Sequence, residues 1–268
     1  MVKIKKTVVR PFFSKNYLTK CFLCDIILIS VEVVMLKINH LTKTYGDKKA
    51  VDNLSLHIQA GEIYGFIGHN GAGKTTTLKA CCGILQFEEG EIFIDGVSVQ
   101  ENPIACKRKI AYIPDNPELY PFMTGMQYLN FIMDIFQIDA GARRARVENY
   151  ANALGLTADL SQPISAYSHG MKQKLAVISA FIHEPKLVIM DEPFVGLDPK
   201  AAHTLKQIMR KHCDKGGAIF FSTHVLDVAE RLCDKVAIIK GGKLIKTGTM
   251  DEVKGDASLE KVFLELAE

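Results

Sequence analysis

The chain has 268 residues, enough for one or two domains with a substantial core, and its apolar (48%) and charged (24%) fractions are those of an ordinary globular protein. The net charge of +3 is unevenly placed: residues 1–34 hold six basic and two acidic side chains, so the rest carries about −1, which excludes a basic nucleic-acid binder by composition. Seven cysteines, an odd number scattered along the chain, argue against a disulfide framework and suit a reducing cytoplasm.

Residues 1–34 read unlike the remainder. Lys3, Lys5, Lys6, Arg10, Lys15 and Lys20 precede an apolar run at 21–35 that Asp25 and Glu32 interrupt. The run falls short of the ~20 apolar residues of a spanning helix. Its order resembles an export signal, but no small-residue cleavage site follows. A membrane-surface anchor is one alternative. The preferred expectation is an extension, either disordered or lying upstream of the natural start at Met35. Cys21 and Cys24 form a lone C-x-x-C, a weak metal or redox signal without a second pair or a nearby His.

From Met35 the pattern becomes regular. Residues 36–40 and 53–59 alternate as short strands around a turn at Tyr45-Gly46-Asp47. An apolar run at 63–67 predicts a buried strand, and the segment from Thr76 predicts a helix. Between them lies Gly68-His69-Asn70-Gly71-Ala72-Gly73-Lys74-Thr75-Thr76, which matches G-x-x-x-x-G-K-[ST] in the strand–loop–helix context that gives this motif meaning. Glycines let successive N–H groups face phosphate oxygens, and the helix N-terminus adds partial positive charge. Lys74 can reach the β- and γ-phosphates of a nucleotide, and the Thr75 hydroxyl can ligate Mg²⁺. Cys81-Cys82, in the helix that follows, reads as packing.

A turn at 87–90, a strand at 91–94 closed by Asp95-Gly96, and a strand at 110–113 ended by Pro114 come next. Residues 115–167 change character. Thr124 and Gln127 form a capping box, followed by Leu129, Ile132, Met133 and Phe136 at helical spacing, and a second helix is expected over 143–154. This reads as a helical subdomain, about 115–170, inserted into an α/β core. A helix at 170–183 and a continuous apolar strand at 187–190 resume that core. Asp198-Pro199 opens another helix, 218–222 is a buried strand, 236–239 and 244–246 flank Gly241-Gly242 as a hairpin, and Thr249 with Glu252 is a further capping box before a closing helix at 259–266.

Asp191-Glu192 ends the 187–190 strand, at the carboxyl edge where ligands of parallel sheets bind. Asp191 can hold Mg²⁺, directly or through water. Glu192 can accept a proton from the attacking water, or orient it. With the phosphate loop, the pair supplies complementary parts of one phosphoryl-transfer site.

On these residues the chain resembles the ATP-binding cassette (ABC) ATPases over about 36–266. The resemblance implies a P-loop NTPase (RecA-like) α/β core, an N-terminal antiparallel β subdomain and an inserted helical subdomain. Tyr167-Ser168-His169-Gly170-Met171 stands where the family has L-S-G-G-Q, keeping the Ser and the second Gly. By resemblance, Ser168 and Gly170 would meet the γ-phosphate bound to a second cassette. Gly196-Leu197-Asp198 resembles the loop joining the two sites, with Asp198 also a helix cap. His224 resembles the switch histidine at the γ-phosphate, and Tyr45 the aromatic that stacks on adenine. Asp115 stands where the family usually has a Gln that senses Mg²⁺ and the attacking water; an ionised Asp can ligate the metal but cannot donate a hydrogen bond, and its reach is shorter. Leu119, Tyr120, Pro121, Phe122 and Met123 would form an apolar contact with a membrane partner. The expectation is an ATPase using ATP and Mg²⁺, peripheral on the cytoplasmic face of the membrane. Its partners would be a second cassette, identical or homologous, and a separate transmembrane permease, with no nucleic acid. The substitutions resemble drug- and antibiotic-efflux types. The alternatives are a soluble ABC ATPase acting on ribosome or DNA, and a regulatory module without turnover.

Overall fold

The computed structural model describes residues 33–267. The Cys21/Cys24 pair, and the 1–34 extension apart from Val33 and Val34, lie outside the described residues.

Strands β1 (Val34–Tyr45) and β2 (Lys48–Gln59) pair antiparallel across a two-residue turn, Tyr45 facing Lys48. Gly46 in that turn has φ +56°, the left-handed backbone a tight hairpin demands. Both strands run longer than the alternation predicts. Register shifts near Leu41 and Lys43 break the in–out pattern without ending the pairing. β3 (Ile63–Ile67) is buried at every position and leads through the glycine loop into α1 (Lys74–Cys81). β4 (Glu89–Ile94) and β5 (Val97–Ser98) complete a four-stranded sheet in the order β2-β1-β4-β5.

A short helix, α2 (Pro103–Lys107), follows; it is capped by Asn102 and was not legible in the apolar pattern because only Cys106 faces inward. β6 (Ile110–Ile113) precedes α3 (Gly125–Ile135) and α4 (Ala140–Leu154). The predicted capping box at Thr124 and Gln127 is formed in both directions. α5 (His169–Phe181) leads to β7 (Leu187–Asp191), then come α6 (Pro199–Asp214), β8 (Ala218–Thr223), α7 (Leu226–Leu232), β9 (Lys235–Lys240), β10 (Lys243–Thr249), α8 (Met250–Lys254) and α9 (Leu259–Ala267).

The second sheet has six strands in the order β10-β9-β3-β8-β7-β6, parallel except for β10. It is covered on both faces, which is why β7 and β8 read as unbroken apolar runs. One hydrophobic cluster, with Leu36, Tyr64, Leu78 and Phe220, joins it to the antiparallel sheet and α1. The other, with Ile63, Val188 and Phe221, also contains Leu129 and Met133 of α3 and Val147 of α4, so the inserted helices share their core with the sheet. Because β3, β8, β7 and β6 are neighbours, the segments leaving their carboxyl ends converge on one edge.

Candidate nucleotide site

The loop after β3 is held by close packing. Gly73 has φ +109°, and a Cβ there would stand 2.3 Å from the Ala50 carbonyl oxygen; one on Gly68 would stand 2.6 Å from that of Ile239. No larger residue fits either place. The turn delivers α1 with Gly73 as its N-cap, no side-chain cap and no acidic residue in its first turn. The free N–H groups and helix dipole therefore face an open cavity of about 330 Å³.

That cavity is lined by Tyr45, Lys48, Ala50, His69, Asn70, Gly71, Gly73, Lys74, Thr75, Thr76, Asp115, Asp191 and Glu192. Gly68 and Ala72, in the same loop, form its support. Lys74 is buried, and its ammonium donates to the carbonyls of Gly68 (2.6 Å) and His69 (3.3 Å). Burial holds its pKa below the ordinary lysine value, opposed by the charges of Glu192 and Asp191. Thr75 Oγ1 donates to Asp191 at 2.6 Å, and Ser222 on β8 donates to the other oxygen of that buried carboxylate.

Glu192 follows directly, at φ +46°. A non-glycine residue in that region carries a strain of about 1–3 kcal/mol, offset here by its surroundings. Its backbone N–H donates to Ser222 Oγ at 3.1 Å, and its Oε2 accepts from the His224 N–H at 3.4 Å. Oε1 lies 2.9 Å from His224 Nδ1 and 3.8 Å from Lys74 Nζ, yet it accepts no aligned hydrogen bond. A carboxylate oxygen with no aligned hydrogen bond, beside a cation and a histidine, is fit to receive a water proton.

Tyr45 is 53% exposed, so it is not a core tyrosine; Lys43 Nζ sits 5.3 Å from its ring centroid. Asp115 is exposed at the cavity wall. The geometry thus brings together Tyr45, the loop, Asp115, Asp191 and Glu192, with His224 joined through Glu192.

Ser168, Gly170 and Asp198 lie outside this cavity. Ser168 is exposed and caps α5 by accepting from the Met171 N–H at 3.2 Å. Asp198 caps α6 through the Ala201 N–H (2.8 Å) and pairs with Lys174 (2.7 Å); Lys174 first, then that N–H, hold its carboxyl below the usual range. These loops touch: a Cβ on Gly170 would stand 2.8 Å from the Gly196 carbonyl oxygen.

Sequence reasoning missed Lys48 and Ala50, which line the cavity from β2, and Ser222, which bonds the Asp191 carboxylate and the Glu192 backbone N–H. Ser222-Thr223 ending an apolar strand was the available signal. It also missed that the His69 ring packs on Phe263 of α9, centroids 4.7 Å apart.

A family model described as ABC transporter matches residues 51–195. The chain belongs to this family. YhcH of Bacillus subtilis, an uncharacterized ABC transporter ATP-binding protein, is 34% identical over 212 residues, 79% of this chain and 68% of that protein. LnrL of the same organism, a linearmycin resistance ATP-binding protein, is 31% identical over 219 residues, 82% of this chain and 70% of LnrL. A solved ATP-binding subunit of an ABC transporter superposes with a TM-score of 0.84 at 34% identity, covering 87% of this chain and 99% of that one. The chain is thus an ABC transporter ATP-binding subunit, an ATPase. No described helix of this cassette is long and apolar enough to cross a membrane.

Proposed function

We propose that the cassette, residues 35–268 with 115–170 as its helical part, binds MgATP in the cavity above and hydrolyses it when a second cassette closes over it. Glu192 Oε1 carries the reading, because it stands at the strand end beside Lys74 and His224 and accepts no aligned hydrogen bond. Adenine stacks on the exposed face of Tyr45. The N–H groups of residues 68–76 and the Lys74 ammonium take the phosphates. Thr75 and Asp191, hard oxygen donors 2.6 Å apart, would hold Mg²⁺. When bound, the metal neutralises charge on the β- and γ-phosphates. Glu192 accepts the proton of the attacking water, and His224 holds that carboxylate in place. Asp115, at the cavity wall, is assigned to the metal side.

The second cassette contributes Ser168 and Gly170. Ser168 Oγ accepts within its own cap, which leaves its hydroxyl proton to donate to a γ-phosphate oxygen. Asp198 lies beside them through the Gly196–Gly170 contact.

Work is delivered to a membrane permease. Tyr120 (44% exposed) and Phe122 (76%) form an aromatic patch with Phe131, while Leu119 and Met123 are half-buried against the core and brace it. Such a patch fits an interface better than a free surface and supports the reading of a cassette docked at the cytoplasmic face of the membrane. The resistance role in LnrL's name supports export. Affinity purification from detergent-solubilised membranes is expected to recover a polytopic membrane protein. Recovery of ribosomes instead would overturn the transport reading. A phosphate-release assay, expected to show turnover, decides against a silent regulatory module.

A further inference from the structure

A recess of about 690 Å³ lies away from the nucleotide cavity. Its walls come from α4 and α6, and its floor from the segments entering β7 and β8. It therefore opens at the amino ends of those strands, whereas Asp191 stands at the carboxyl end of β7.

The recess has an aromatic base and a cationic rim. Tyr150 and Phe181 lie 6.3 Å apart between centroids, and His212 meets Phe181 edge-on at 5.5 Å. His212 Nε2 is buried without a hydrogen-bond partner. Lys211 and Lys215 stand exposed at the rim, with no acidic partner among the described residues. The lining carboxylate, Glu184, is already paired with Arg146 at 2.8 Å. An uncompensated positive rim over an apolar floor complements a molecule of opposite arrangement. The volume lies within the roughly 300–1,000 Å³ of small-molecule sites.

We propose that this recess is a second ligand site, taking a small amphipathic organic anion. The apolar body lies on Tyr150 and Phe181, and its carboxylate, sulfonate or phosphate sits between Lys211 and Lys215. Such a ligand touches α4 and α6 together, so it ties the inserted helices to the helix that begins at Asp198. It binds independently of nucleotide and raises the melting temperature.

The test uses the full chain and 8-anilinonaphthalene-1-sulfonate, an aromatic sulfonate whose fluorescence reports binding, with and without saturating MgATP. One saturable class is expected, undisplaced by MgATP and accompanied by a rise in melting temperature. Lys211→Glu with Lys215→Glu weakens it by roughly tenfold, the scale of reversing two charges at a partly apolar site. Ala153→Trp, an exposed position on α4 that lines the recess, blocks it. Wild-type MgATP affinity in both variants shows that they are folded. Displacement by MgATP places the probe in the nucleotide cavity and overturns the proposal. So does unsaturable binding, or binding that neither variant changes.

Discussion

The nucleotide cavity and the Ser168–Gly170 corner are built on the same sheet but differ in completeness. In the cavity Thr75 and Ser222 hold Asp191, and Lys74 rests on the Gly68 and His69 carbonyls. Glu192 Oε1 stands beside His224 and Lys74 but accepts no aligned hydrogen bond. At the corner, Ser168 is satisfied as a helix cap yet exposed, and it lies outside the nucleotide cavity of its own chain. On the proposed reading, a single chain carries what binding needs, and a second chain completes the site for turnover.

The largest test of this division falls on the Glu192 carboxylate. Glu192→Gln keeps shape and hydrogen-bonding reach but removes the base. Turnover should fall by about 10²- to 10⁴-fold in a phosphate-release assay, while MgATP binding persists and a dimer accumulates on size exclusion. Undiminished hydrolysis would remove Glu192 from the role of base and make the cavity incomplete in a second way.

Complementation probes the other region. Lys74→Ala and Ser168→Arg should each be inactive, the first without nucleotide binding and the second with it. Mixed in equal amounts, they form dimers of which half are hybrid, and each hybrid has one intact composite site. Activity should then return to about a quarter of wild type. Silence in the mixture would show that both residues act within one chain and would collapse the comparison.

Tyr45→Ala gives a smaller effect. Loss of a stacking face at a half-exposed site costs about 1–3 kcal/mol, so affinity for ATP should drop by roughly 5- to 150-fold with kcat nearly unchanged. An equal loss for ATP and GTP is expected, because a bare ring face reads any purine. Affinity unchanged in titration with a fluorescent ATP analogue would place adenine elsewhere, toward Lys48 or Ala50.

What could be read beforehand was local in the chain. The phosphate loop announces itself within nine residues, and Asp191-Glu192 is marked by the apolar run before it. The capping boxes at Thr124 and Thr249 form as spelled. The strand lengths of β1 and β2 were not legible, since bulges disturb alternation while pairing continues. α2 and α7 are short and present only one buried residue each, too little for a periodic signal. Ser222 and the His69–Phe263 contact depend on partners far away in sequence, brought near only by sheet order and the docking of α9. Asp198 shows the limit of motif reading: its cap was visible, but its pairing with Lys174 across to α5 was not.

The smallest effect separates the nucleotide edge from the floor beneath it. His183, stacked on Phe136 and bonded to the Ile110 carbonyl, and His212 both have pKa values lowered from the ordinary 6.5 by burial. In the unfolded chain these imidazoles take up protons near pH 6.5; in the folded chain they do so only at lower pH. The unfolded state therefore binds more protons in that window, and stability must fall as pH drops below about 6.5, until the folded pKa values are reached. Above that pH the contribution is flat. The slope is at most about 1.4 kcal/mol per pH unit for each histidine. Carboxylates such as Asp95, held below the usual 3.8 by Lys109 and Lys186, lose their stabilising contribution only at more acid pH, so the window between about 5 and 6.5 belongs to the histidines. Urea melts at pH 7.5, 6.5 and 5.5 should show stability constant across the first interval and falling across the second. His183→Gln combined with His212→Gln should flatten the second interval, whatever its cost at pH 7.5. An equal slope in the double variant would mean that the acid-sensitive groups lie elsewhere, and the floor would no longer be distinct from the nucleotide edge.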